Sequence, residues 1–140
     1  MTRVDFYIIN NQNSREQLAC KITEKAFQQE NRIHIHTESS VHSKRMDDLL
    51  WTYDEESFIP HDTGSSISEQ SLVCVSHEGE PASHDVLINL ASDVPVFFSR
   101  FERVAEIIDQ DPERKQQGRE RYRFYQDRGY ELKTHQIGAA

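Results

Sequence analysis

The sequence predicts an α/β fold with a mostly parallel sheet, and three observations near its amino terminus carry that prediction. Residues 4 to 9, VDFYII, run almost uninterrupted in β-branched and aromatic side chains up to the turn-forming NNQNS, the pattern of a buried strand. Ser14, with Gln17 three positions later, makes a capping box, and Leu18, Ile22 and Ala26 then recur at helical spacing to give a helix ending near residue 30. Residues 32 to 36, RIHIH, alternate in the manner of a second strand. A strand, helix, strand order implies a right-handed crossover and a parallel pair.

The later elements follow from the same patterns. A second helix is expected over residues 42 to 53, with Met46, Leu49, Leu50 and Tyr53 as its apolar stripe and Trp51 projecting well away from that stripe. The stretch EESFIPHDTGSSISEQ, with Pro60, Gly64 and several serines, reads as a surface loop. Residues 71 to 75 and 85 to 90 are further strands, joined through SHEGEPASH in what the sequence suggests is a long hairpin. A short helix is expected over 92 to 101, with Phe97, Phe98 and Phe101 inward, and a strand over 103 to 108. Asp111 caps the last helix, Pro112 suits its first position and Gly129 ends it. Residues 130 to 135 form an edge strand, and the tail over 136 to 140 is expected to fray.

A length of 140 residues fits one domain, residues 1 to 140, with a core that needs no disulfide or metal. The amino terminus lacks the basic start and apolar run of a signal peptide, and no apolar stretch approaches a membrane span, so a cytoplasmic protein is expected. Cys20 and Cys74 have no paired spacing and read as free thiols. The net charge of -8 repels nucleic acid at long range. Against that background residues 112 to 128 hold six Lys or Arg and three acids, a local +3 in a chain that is otherwise -11.

Enzymatic signatures are weak. The turn after the first strand, NNQNSREQ, has no glycine, and neither G-x-G-x-x-G nor G-x-x-x-x-G-K-[ST] occurs, so the backbone cradle that holds phosphates is missing. His34 and His36 share one face of a strand, with Glu38 or His42 as the candidate third metal ligand, but semi-buried strand positions account for them as well. His61, His77 and His84 lie near acids and serines without a nucleophile elbow. No cofactor or metal is expected.

The chemistry that stands out is on the last helix. Lys115, Arg119 and Tyr122 fall at i, i+4 and i+7, which sets two cations and an aromatic ring on one face. That face suits a solvated amphipathic helix, an acidic peptide gripped by the Arg119 fork, or a nucleic-acid strand stacked on Tyr122. Trp51 either packs back on Phe58 and Ile59 or forms, with Phe58, an exposed anchor for a partner.

Four blocks, VDFYII at 4 to 9, LLWTYDEESFIPHD at 49 to 62, DVLINL at 85 to 90 and RERYRFYQDRGYELKTH at 119 to 135, together give the chain a family likeness: it resembles the chi subunit family of bacterial DNA polymerase III. The resemblance spans nearly the whole chain but is poor over 63 to 84. It implies a Rossmann-like domain without a nucleotide-binding loop, serving as a non-catalytic accessory subunit of the clamp loader. It also implies two protein partners and only indirect contact with single-stranded DNA. By the resemblance, Ile108, Lys115, Arg119 and Tyr122 hold the acidic tail of single-stranded DNA-binding protein (SSB), while Trp51, Phe58, Pro60 and His61 meet the psi subunit. A replisome-associated place in the bacterial cytoplasm follows from the same resemblance. The competing expectation is a module that binds single-stranded nucleic acid directly.

Overall fold

The computed structural model describes residues 2–11, 14–52, 62–63, 73–77 and 85–138, with backbone alone at 51–52 and 62–63. The described elements are β1 (Arg3–Ile9), α1 (Arg15–Gln28), β2 (Ile33–His36), α2 (Ser40–Thr52), β3 (Asp62–Thr63), β4 (Val73–Ser76), β5 (Val86–Asn89), β6 (Arg103–Ile108), α3 (Pro112–Asp127) and β7 (Glu131–Ile137). The strands form one sheet in the order β3-β4-β2-β5-β6-β1-β7. Every pairing in it is parallel, where the sequence led us to expect a mixed sheet.

The difference arises at β4 and β5. These do not form a hairpin; they flank β2, with Ile33 opposite Val73 on one side and Val86 on the other. Both strands are buried along their whole length, as central parallel strands covered on both faces must be. A hairpin would have paired them with each other and left β2 with a free edge. The expected loop between α2 and β4 also contributes the short strand β3, which pairs with β4.

Local chemistry explains the helices. Ser14 accepts from the Gln17 amide at 3.0 Å while the Gln17 side chain accepts from the Ser14 amide at 3.3 Å, so both halves of the capping box form. Helix α2 begins at Ser40, slightly earlier than expected; Met46 and Leu50 are buried and Leu49 is half-buried, while Tyr53 lies outside the described residues. Between β5 and β6 there is a single 3-10 turn at Phe98–Arg100 rather than a short helix. Pro95 lacks an amide proton and disfavours a helical Val94, yet Phe97, Phe98 and Phe101 are buried as expected. The tail is ordered further than expected: Gln136 and Ile137 belong to β7, and the Ile137 carbonyl accepts from the Asn10 amide at 2.8 Å.

Strand alternation divides the apolar residues between the two faces of the sheet. One core holds Ile9, Ile33, Ile35, Val75, Val86 and Ile88 beneath α1 and α2. The other holds Val4, Phe6, Leu87, the three phenylalanines, Val104 and Ile108 beneath α3, which contributes Tyr125. This second core also contains charge. Glu106 of β6 is fully buried and accepts from Arg121 Nε at 2.8 Å, from the Tyr125 hydroxyl at 2.8 Å and from Asn89 Nδ2 at 2.9 Å. Arg121 also donates to the Ser92 carbonyl at 2.8 Å. Burial pushes the Glu106 carboxyl up, and the Arg121 charge with the Asn89 and Tyr125 hydrogen bonds opposes that push. Burial, followed by the Glu106 charge, raises the Tyr125 hydroxyl in turn.

His34, on the same face of β2, is 2% exposed beside Phe97 and Phe101, with its Nδ1 3.2 Å from Cys74 Sγ. Burial, with His36 adding to it, lowers its pKa to about 3. It is a neutral core side chain.

Two stability predictions follow from these buried groups. Arg121→Met strands the Glu106 carboxylate and is expected to cost about 3–5 kcal/mol in urea unfolding, against about 1–3 kcal/mol for Tyr125→Phe. An Arg121→Met midpoint equal to wild type would remove this pair as an anchor. For His34 the unfolded imidazole takes up a proton near pH 6.5 and the folded one only near pH 3, so stability falls as pH drops through that window. The His34 share of that loss is about 2 kcal/mol by pH 5, and a His34→Leu variant should show a correspondingly shallower decline from pH 6.5.

Candidate functional site

Helix α3 is fixed at both ends and in rotation. Asp111 caps it, accepting from the Arg114 amide at 2.9 Å, with Pro112 in the first turn. Beyond its last turn Gly129 sits at φ 78, a left-handed conformation that glycine adopts without steric cost. Arg121 and Tyr125, one turn apart, fasten the helix to Glu106 beneath it. With that face turned down, Lys115, Gly118, Arg119 and Tyr122 lie along a neighbouring face, over β6, β1 and β7.

There they line a pocket of about 300 Å³ together with Phe6 and Ile8 of β1, Ile108 of β6 and Thr134 of β7. The four residues singled out for a peptide tail, Ile108, Lys115, Arg119 and Tyr122, are thus brought together. Tyr122 meets Phe6 edge-to-face, with ring centroids 5.1 Å apart. Lys115 Nζ donates to Gln110 Oε1 at 2.9 Å, which holds the ammonium at the rim. Arg119 is exposed and has no hydrogen-bond or ion-pair partner among the described residues. By contrast Arg114 is taken up by the Asp109 carboxylate, which accepts from its Nε and from one Nη, and Arg128 lies over the Phe124 ring at 3.7 Å.

Gly118 is one of four wall residues that sequence reasoning missed, with Phe6, Ile8 and Thr134. A Cβ at Gly118 would lie 2.3 Å from Ile108 Cδ1, so the missing side chain is what lets Ile108 sit where it does. A glycine in the middle of a helix costs about 1 kcal/mol relative to alanine, and that cost was the available signal that packing requires it. Phe6, Ile8 and Thr134 gave no such signal. Their membership follows from the parallel register of β1 with β6 and β7, which sets Phe6 beside Thr134 and Ile8 beside Ile108.

The arrangement offers two cations, one of them unpaired, above an apolar and aromatic cleft. It suits a carboxylate attached to an apolar side chain. The other expected surface is described only in part: the Trp51 backbone lies in the last turn of α2, and Phe58, Pro60 and His61 fall outside the described residues. Among the described residues no group of three or more His, Cys, Asp or Glu is placed to hold a metal ion. His42, raised as a third ligand for His34 and His36, instead meets Glu16 Oε1 through Nε2 at 3.1 Å, and Glu38 binds the Ser92 amide and hydroxyl, both at 2.8 Å. His77 Nδ1 lies 3.5 Å from Ser43 Oγ, while His61 and His84 are outside the described residues. No described helix is long and apolar enough to cross a membrane.

A family model described as DNA polymerase III chi subunit, HolC, matches residues 1–133. The DNA polymerase III subunit chi of Pseudomonas aeruginosa is 35% identical over 139 residues, covering 98% of both chains. That of Escherichia coli K12 is 27% identical over 143 residues, covering 96% of this chain and 97% of its own. Two solved structures share the fold at 10% identity and a TM-score of 0.67: T4 UvsW, of which this chain spans 41%, and domain 2 of the DEAD-box helicase Mss116p bound to an RNA duplex, of which it spans 64%. At that identity they speak for the Rossmann-like α/β architecture alone.

Proposed function

The chain belongs to the DNA polymerase III chi subunit family and so has an accessory role in DNA replication, and on that premise we propose that its α3 pocket binds the acidic carboxyl-terminal tail of SSB. The observation that carries this reading is the pairing of Lys115 and the partnerless Arg119 with the apolar cleft of Ile108, Tyr122 and Phe6. The terminal apolar side chain of the tail enters between Ile108 and Tyr122. Its α-carboxylate meets the Arg119 fork, and a neighbouring Asp meets Lys115. No step in this role breaks or forms a covalent bond, and no cofactor is needed. A few charge-assisted pairs at a half-open site, with one buried side chain, give an affinity on the order of micromolar. Several tails on one SSB assembly raise the effective affinity.

A second surface completes the adaptor. Trp51, Phe58, Pro60 and His61 meet the psi subunit, which ties the chain to the clamp loader and places it at the replisome in the bacterial cytoplasm. The support for this surface is the family membership and the position of Trp51 in α2, the helix packed on the face of the sheet opposite α3.

Titration of a fluorescent SSB-tail peptide tests the pocket. Arg119→Glu is expected to weaken binding at least about tenfold through loss of one pair and the repulsion that replaces it, and added salt to weaken the wild type. Gly118→Ala should weaken it as well, by pushing the Ile108 side chain from its place. Unchanged affinity in Arg119→Glu at low salt would exclude the pocket, and retardation of an oligonucleotide by the chain alone would favour direct nucleic-acid binding instead. For the second surface, Trp51→Ala is expected to lose psi during co-purification. Undiminished recovery of psi would exclude Trp51 as an anchor.

A further inference from the structure

The opposite face of the sheet has its own groove. Helix α1 takes its main sheet contacts from β2 and β6, and beyond it Tyr7 of β1 and Ile137 of β7 are only half-buried. The open space between the helix and these strands measures about 450 Å³. Its apolar surface comes from Leu18 and Ile22 on α1 and from Tyr7, Ala105 and Val86 on the sheet.

Among the described residues the charged side chains that line this groove are all cations, Lys21, Lys25 and Arg103, in a chain whose net charge is -8. Lys21 and Lys25 stand one turn apart on α1, both exposed, with no ion-pair partner among the described residues. Asp5, beside Tyr7's strand neighbours on the same face, adds no free negative charge. It is 1% exposed and is held by Arg3 and Arg103, each at 3.3 Å, and by His135 at 3.0 Å. Two guanidinium groups therefore share one carboxylate, and the Nε atoms of both are buried without a hydrogen-bond partner among the described residues.

We propose that this groove is a second peptide site, which takes an acidic segment of a protein partner with an apolar side chain between its carboxylates. One carboxylate sits between Lys21 and Lys25, a second approaches Arg103, and the apolar side chain between them lies on Leu18, Ile22 and Tyr7. Charge complementarity selects the acid and the greasy floor selects the apolar residue. A nucleic-acid strand needs a longer basic track than three cations in one groove, and the rest of the chain repels it. The site does not depend on the α3 pocket: it is on the other face and reads side-chain carboxylates rather than a chain terminus.

The test uses the full chain carrying Arg119→Glu, which disables the α3 clamp, and an amidated peptide of interspersed Asp and Leu residues, which has no terminal carboxylate. In NMR titration the expected result is saturable shifts at the amides of Tyr7, Lys21, Ile22, Lys25 and Arg103. The double variant Lys21→Glu, Lys25→Glu should weaken this binding about tenfold, while circular dichroism shows α1 intact. Absence of saturable shifts at these amides, equal affinity in the double variant, or the same shifts produced more tightly by oligothymidylate would overturn the proposal. Failure of the α3 reading is separately visible in wild type, as missing shifts at Ile108, Gly118 and Tyr122 with a free-carboxylate tail peptide.

Discussion

The buried Glu106–Arg121 pair is the constraint on which the α3 side of the molecule depends. Taking a carboxylate and a guanidinium out of water costs several kcal/mol per ion, and a dry pair tolerates that cost only when the remaining lone pairs and protons are also satisfied. Asn89, Tyr125 and the Ser92 carbonyl supply those partners, drawing β5, the β5–β6 connection and α3 to one point. A network of this kind is directional in a way that apolar packing is not, so it fixes how α3 is rotated as well as where it lies. The neighbouring helix face, with Lys115, Gly118, Arg119 and Tyr122, is aimed at the open edge of the sheet as a result.

The same network changes what the basic helix means. Counted along the sequence, residues 112 to 128 carry a local +3. In the fold Arg121 is neutralised by Glu106 and Arg114 by Asp109, acids that lie just outside that window. The cations left to meet a ligand at the pocket are Lys115 and Arg119. A surface of two cations beside an apolar cleft is a poor match for a continuous phosphate backbone and a good one for a short acidic peptide. The sequence argument against bare DNA rested on overall charge; the structure adds a local reason of the same sign.

The architecture itself is one that often serves nucleotides, and the two solved structures share it. In this chain α1 is capped by the Ser14 and Gln17 side chains, and the sequence before it, NNQNS, holds no glycine. The two proposed peptide pockets lie instead along the flanks of the sheet, where α3 and α1 leave β1 and β7 partly uncovered. Fold and function are separable here for a stated reason, since the sheet supplies rigid positions and the helices supply the chemistry.

By itself the sequence determined the strand, helix, strand opening, the span of β6, the caps of α3, the inward phenylalanines and the grouping of Lys115, Arg119 and Tyr122. Each of these is written in neighbours a few positions apart, through periodicity, capping chemistry or turn residues. Only the tertiary structure decided that β4 and β5 flank β2, that Gln136 and Ile137 continue the edge strand, and that His34 is a core residue. It alone also revealed Phe6, Ile8, Gly118 and Thr134 as walls of the pocket. Those facts depend on which strands lie side by side and in what register, and a parallel sheet sets both through contacts between residues far apart in the chain. Glu106 makes the point most sharply: a lone acid in an apolar strand, RVAEII, gives no hint of its partners until α3 folds back over it and brings Arg121 to within 2.8 Å.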